Sequence, residues 1–131
     1  MMTLGEMKEL FSSYPKDAVL GYGFGDVFSW RGAYDEPCFS IAEDVTVGEC
    51  LVYVESALTL VFYGYKGGEY IYSEASPVNF ECEDGAYTNG KYLQSKLFDI
   101  AQSDDTTVEI WKKLVDGGPW SSSNGALDGT D

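Results

Sequence analysis

The chain predicts an α+β domain: a small, mostly antiparallel sheet of four or five strands with three or four helices packed against it. Three observations carry this. Two capping boxes, Thr3-Leu-Gly-Glu6 and Thr46-Val-Gly-Glu49, each stand before an apolar run at helical spacing. Short apolar or alternating runs lie between and after them, bounded by glycine, proline and an Asn-Gly pair. The third is composition: 131 residues, 44% hydrophobic and 15% aromatic, are enough to fold and to bury one core.

The elements follow in chain order. Thr3 caps a first helix whose Leu4, Met7, Leu10 and Phe11 share a face, and Pro15 stands just past its end. Residues 18–22, Ala-Val-Leu-Gly-Tyr, read as a short strand. Residues 23–36 lack periodicity and carry Gly23, Gly25 and Gly32, which predicts a structured loop. Cys38–Ala42 is the next strand. Thr46 caps a second helix running to about Leu58, with Val47, Cys50, Leu51, Val54 and Leu58 inward. Leu60–Tyr63 and Glu69–Tyr72 flank Gly64-Tyr-Lys-Gly-Gly68 as a hairpin, in which Tyr63, Tyr65, Tyr70 and Tyr72 form cross-strand pairs or a recognition surface.

Pro77–Glu83 alternates as a further strand, and Asn89-Gly90 marks a turn. Tyr92, Leu93, Leu97, Ile100 and Ala101 define a third helix. Residues 106–115 fit either a fourth helix capped at Thr106 or an alternating strand. The globular domain is expected over residues 1–115. Residues 116–131, rich in Gly, Ser and Asp around Trp120, read as a flexible tail.

Charge narrows the partners. Lys and Arg total 8 against 22 Asp and Glu, a formal charge of −14. Such a surface repels phosphate backbones, so direct nucleic-acid binding is not expected. The acidity serves solubility, or it presents an acidic decoy, a nucleic-acid mimic, to a protein that normally holds nucleic acid. No apolar run approaches the ~20 residues of a membrane span. The N-terminal MMTLGEMKELF lacks the basic and apolar regions of a secretory signal, so the expectation is a cytoplasmic protein with no membrane partner.

Catalytic motifs are absent. Without histidine there is no Ser-His-Asp or Cys-His arrangement, and there is no P-loop. Gly21-x-Gly-x-Gly25 lacks the final glycine of a dinucleotide fingerprint. Cys38, Cys50 and Cys82 form no CxxC pair and are expected reduced and buried, not as metal ligands. The expectation is a protein that is not an enzyme and has no cofactor or metal; a small carboxylate-dependent enzyme is the remaining alternative.

The only arginine, Arg31, lies between Phe28, Trp30 and Tyr34, ahead of Asp35 and Glu36. Its planar fork grips carboxylates or phosphates and stacks on rings. Three roles are open: an ion pair to Asp35 or Glu36 that staples the loop, an anchor in a protein interface, or a ligand-gripping side chain. A sponge for a nucleotide second messenger would use Arg31, close-approaching glycines, aromatic faces and a second cation, for which Lys66 beside Tyr65 is placed if both loops share one side of the sheet.

At these residues the chain resembles a group of small uncharacterised proteins of bacteriophages and prophages. The likeness rests on the opening helix, on GYGFG with Ser29-x-Arg31-Gly32-x-Tyr34-x-Glu36, on Thr46-Val-Gly-Glu49 and on Gly64-Tyr-Lys-Gly-Gly-Glu-Tyr70. It spans residues 3–83, and departs from the usual pattern at Val27-Phe28, where relatives tend to carry Pro-His, and at Trp30, where they carry Tyr. The resemblance implies a phage origin and a cytoplasmic place in an infected bacterium. By analogy with phage inhibitors of bacterial immunity, the expected partner is a host or defence protein with a basic surface. Exposed strand edges leave pairing with a second copy open.

Overall fold

A computed structural model describes residues 2–31, 33–64, 66–81 and 91–115, with the backbone alone for 91–94. The first helix, α1 (Leu4–Ser12), starts at a complete capping box. The Thr3 hydroxyl accepts from the Glu6 amide at 3.3 Å, and the Glu6 carboxylate accepts from the Thr3 amide at 2.9 Å. Leu4, Met7 and Phe11 are its buried face.

The largest difference from the sequence expectation follows. Residues 23–36 are not a loop. They belong to a long antiparallel hairpin of β1 (Val19–Trp30) and β2 (Ala33–Thr46), with Arg31 in its turn. Two features hide it in the sequence. Glycines contribute no side chain to an alternating pattern, and the register shifts between Phe24 and Asp26, so the pattern slips by one residue around Gly25.

Gly23 is required by contact. A Cβ there would stand 2.5 Å from both the Cys50 sulfur and a Val45 methyl carbon. That approach lets helix α2 (Val47–Thr59), entered through the Thr46–Glu49 capping box, lie directly on β1. Val47, Cys50, Leu51, Val54 and Ala57 are its buried residues, while Leu58 is half-buried against the core.

A two-stranded ribbon comes next, β3 (Phe62–Tyr63) antiparallel to β4 (Glu69–Tyr70), each strand shorter than its alternating run. Then β5 (Asn79–Glu81) joins β2 in parallel. The described sheet is therefore mixed and three-stranded, in the order β1-β2-β5, with the ribbon separate. That corrects the expected single sheet of four or five strands while leaving the α+β class intact. The Asn89-Gly90 turn, Cys82, Tyr92, Leu93 and the tail with Trp120 lie outside the described residues or side chains.

Helix α3 (Lys91–Ala101) buries Leu97 and Ile100, and α4 (Asp105–Leu114) buries Thr107, Ile110, Trp111 and Leu114. Residues 105–114 are thus helix and not strand. The cap is Asp104, not Thr106: its carboxylate accepts from the Thr107 amide at 2.9 Å.

The cap has a second task. Asp104 also accepts from the Gly21 amide at 3.2 Å, the Thr107 hydroxyl oxygen accepts from that amide at 3.0 Å, and the Trp111 indole donates to the Tyr22 carbonyl at 3.1 Å. Backbone groups at the start of β1 that another strand would otherwise claim are thereby taken by α4. Phe24 is the hub of the core. Its ring centroid lies 5.5 Å from Phe11, 5.1 Å from Phe39, 5.8 Å from Phe80 and 5.7 Å from Trp111. One side chain thus joins α1, β1, β2, β5 and α4.

Candidate functional site: the hairpin tip and the ribbon

The residues singled out by sequence gather where the long hairpin turns. Phe28 and Trp30 end β1, half-buried, across from Cys38 and Ala33. Arg31 is exposed in the turn, and Tyr34 opens the return strand, half-buried. Asp35 is exposed. Glu36 is half-buried, and its Oε1 accepts from the Asn79 side-chain amide at 2.9 Å, fastening the tip to β5.

Tyr34 is the joint between the two hairpins. Its carbonyl oxygen accepts from the Ser29 hydroxyl at 2.6 Å and from the Tyr72 hydroxyl at 3.0 Å. Its ring lies 5.9 Å from that of Tyr70. A Cβ on Gly64 would meet Tyr34 Cγ at 3.2 Å and the Gly67 carbonyl at 2.8 Å, so only glycine lets the ribbon close this tightly. Burial pushes the Tyr72 phenol above its ordinary range.

Two stretches distant in sequence, Ser29–Glu36 and Gly64–Tyr72, therefore pack against each other. Lys66 is exposed in the ribbon loop, and Tyr65 beside it lies outside the described residues. Ser29, Tyr70, Tyr72 and Asn79 hold the joint; Ser29 enters the sequence reading only as part of the resemblance, and Asn79 is not singled out there. For the tyrosines the Glu69-Tyr-Ile-Tyr72 alternation was the available signal: Tyr70 and Tyr72 turn inward and Ile71 outward.

The glycines of the GYGFG stretch are occupied by the fold. Gly23 faces Cys50 and Val45, and a Cβ on Gly25 would stand 2.9 Å from Ala42. They cradle packed side chains, not a phosphate. A nucleotide site here would keep only Arg31, Lys66 and the rings. An apolar pocket of about 170 Å³ lined by Phe24, Gly25, Val45, Glu49, Val52 and Tyr53 contains none of the tip residues. A recess of about 430 Å³ along α4, lined by Asp105, Thr106, Val108, Glu109 and Lys112, contains none either.

The described thiols are inert packing groups. Burial pushes Cys50 up to about 11, and its sulfur accepts from the Phe24 amide at 3.4 Å. Burial, with Glu81 adding repulsion, drives Cys38 higher still. Among the described residues no group of three or more His, Cys, Asp or Glu is placed to hold a metal ion, and no helix is long and apolar enough to cross a membrane.

No protein-family model, curated protein or solved structure matches this chain.

Proposed function

We propose that this chain is a phage-encoded acidic accessory protein that acts by stoichiometric binding, covering the basic surface of a host defence or nucleic-acid-handling protein in the bacterial cytoplasm. The observation that carries this is the joint at Tyr34. It supports the reading by tying the hairpin whose turn bears Arg31 to the ribbon whose loop bears Lys66, on a body whose formal charge is −14.

Each part has a physical task. The dispersed carboxylates raise the encounter rate with a cationic surface and set the approach direction. Where the partner normally holds nucleic acid, they occupy the positions of its phosphates. Holding is then the work of the tip: Arg31 pairs with a carboxylate at the rim of the basic site, and Trp30, Phe28 and Tyr34 supply rigid rings beside it. The hydrogen bonds at Ser29, Tyr72 and Asn79 set the tip before binding, which lowers the ordering cost of association.

The variant that tests the tip is Arg31→Ala. Arg31 is exposed in a turn, and the Tm of the variant, measured beside its affinity, separates a lost contact from a loosened fold. Affinity for the captured partner is expected to fall by about tenfold or more, as for an interface anchor. Unchanged affinity would take Arg31 out of the contact.

A further inference from the structure

The β3–β4 ribbon has two unlike faces. Phe62 and Tyr70 are paired in register and turned inward, Phe62 lying 5.1 Å from the buried Tyr72 ring and Tyr70 against Tyr34. The opposite face is apolar and open. Tyr63 is 68% exposed and Ile71 77%, with Val61 and Leu60 also exposed beside them. Tyr63 pairs with Glu69 and Phe62 with Tyr70, and Val61 and Ile71 adjoin the ends of that ladder in sequence. Alternation places Val61, Tyr63, Glu69 and Ile71 together on the outward face.

Isolated exposed apolar residues are ordinary, but a contiguous set on one strand face marks a contact surface. Its surroundings say what covers it. Glu69 pairs with Tyr63 within the patch, one lysine, Lys66, is exposed in the ribbon loop, and the whole chain carries −14. A second copy would bring an equal negative charge and a second Glu69 onto the same face. A cationic partner instead gains both from the carboxylates and from the apolar area.

The geometry points to the outer face of the β3–β4 ribbon as a docking site for a basic protein segment that alternates cationic and apolar side chains. Val61, Tyr63 and Ile71 receive its apolar side chains, and Glu69 receives a lysine or arginine. This rests on the proposed role as a binder of basic proteins, and names the surface and chemistry of the contact.

Two synthetic peptides of equal length and charge test it, one alternating lysine with leucine and the other lysine with serine. The lysine–leucine peptide is expected to bind about tenfold more tightly or better, shifting backbone amide resonances at 60–63 and 69–71. The double variant Tyr63→Ser/Ile71→Ser, both at exposed positions, is expected to lose that advantage while keeping its Tm. Equal binding of both peptides, or shifts confined to other elements, would overturn the ribbon assignment and leave the acidic-binder role standing. Binding of neither peptide at low salt would overturn both. A wild-type dimer in sedimentation that dissociates in the double variant would assign this face to a second copy instead.

Discussion

The Tyr72 hydroxyl donates to the Tyr34 carbonyl oxygen at 3.0 Å, and through this bond the ribbon is tied to the long hairpin. The same oxygen accepts from Ser29, so it is doubly satisfied at a half-buried position. Tyr72→Phe removes one donor and keeps the ring against Phe62. The expected cost is about 0.5–1.5 kcal/mol of stability. Amide exchange should accelerate in 62–63 and 69–70 while the β1–β2 pairs stay protected. Uniform acceleration across the sheet would show that the ribbon is not a separate unit.

Gly23 and Cys50 make a second pair whose coupling is measurable. A methyl at Gly23 would stand 2.5 Å from the Cys50 sulfur, in a core that cannot yield easily. Gly23→Ala is expected to destabilise by roughly 1–3 kcal/mol, the usual range for overpacking. Cys50→Ala relieves part of that clash but leaves the Phe24 amide without its sulfur acceptor. The double variant should therefore be more stable than the sum of the two single effects, as read by denaturant unfolding. Strict additivity would mean that the contact is not strained by the added methyl.

Asp104 predicts a pH dependence with a definite sign. Burial alone would raise its pKa, but hydrogen bonds from the Thr107 amide and hydroxyl and from the Gly21 amide outweigh it, and the carboxyl titrates below an ordinary aspartate. A depressed folded pKa contributes stability that is present above the unfolded value and lost as pH falls through the folded one. Asp104→Asn can still cap the helix but cannot ionise. Its stability deficit against wild type is therefore expected to be largest above the normal aspartate range, near 4, and to shrink as pH falls below it. A deficit that grows toward low pH would contradict this. Asp104→Ala should cost about 0.5–2 kcal/mol at neutral pH, since a cap is lost outright.

How much of this was legible in sequence depended on how local each signal was. The Thr3–Glu6 and Thr46–Glu49 boxes are complete within four residues, and both helices start where they indicate. The fourth helix is capped at Asp104 and not at the expected Thr106, which is an equally good capping type. What decides between them is the Gly21 amide, which is brought there only by the tertiary fold. The long hairpin failed for the opposite reason. Its β1 strand spends Gly21, Gly23 and Gly25 on close packing and a register shift, and those residues read as loop when their neighbours are unknown. At the candidate site, Arg31, Tyr34 and Lys66 were visible as residue types. The ties of the hairpin to the ribbon and to β5, Tyr34 meeting Tyr70 and Tyr72 and Asn79 reaching Glu36, are contacts that no local pattern encodes.

The central claim is stoichiometric capture of a basic protein, and one measurement bears on it most directly. The tagged chain is immobilised, bacterial lysate is passed over it at low and at high salt, and retained proteins are identified by mass spectrometry. The account predicts one basic protein, held in fixed ratio at low salt and released at high salt, as screening of a charge-steered contact requires. An empty capture at low salt, or a partner held equally at both, would contradict it.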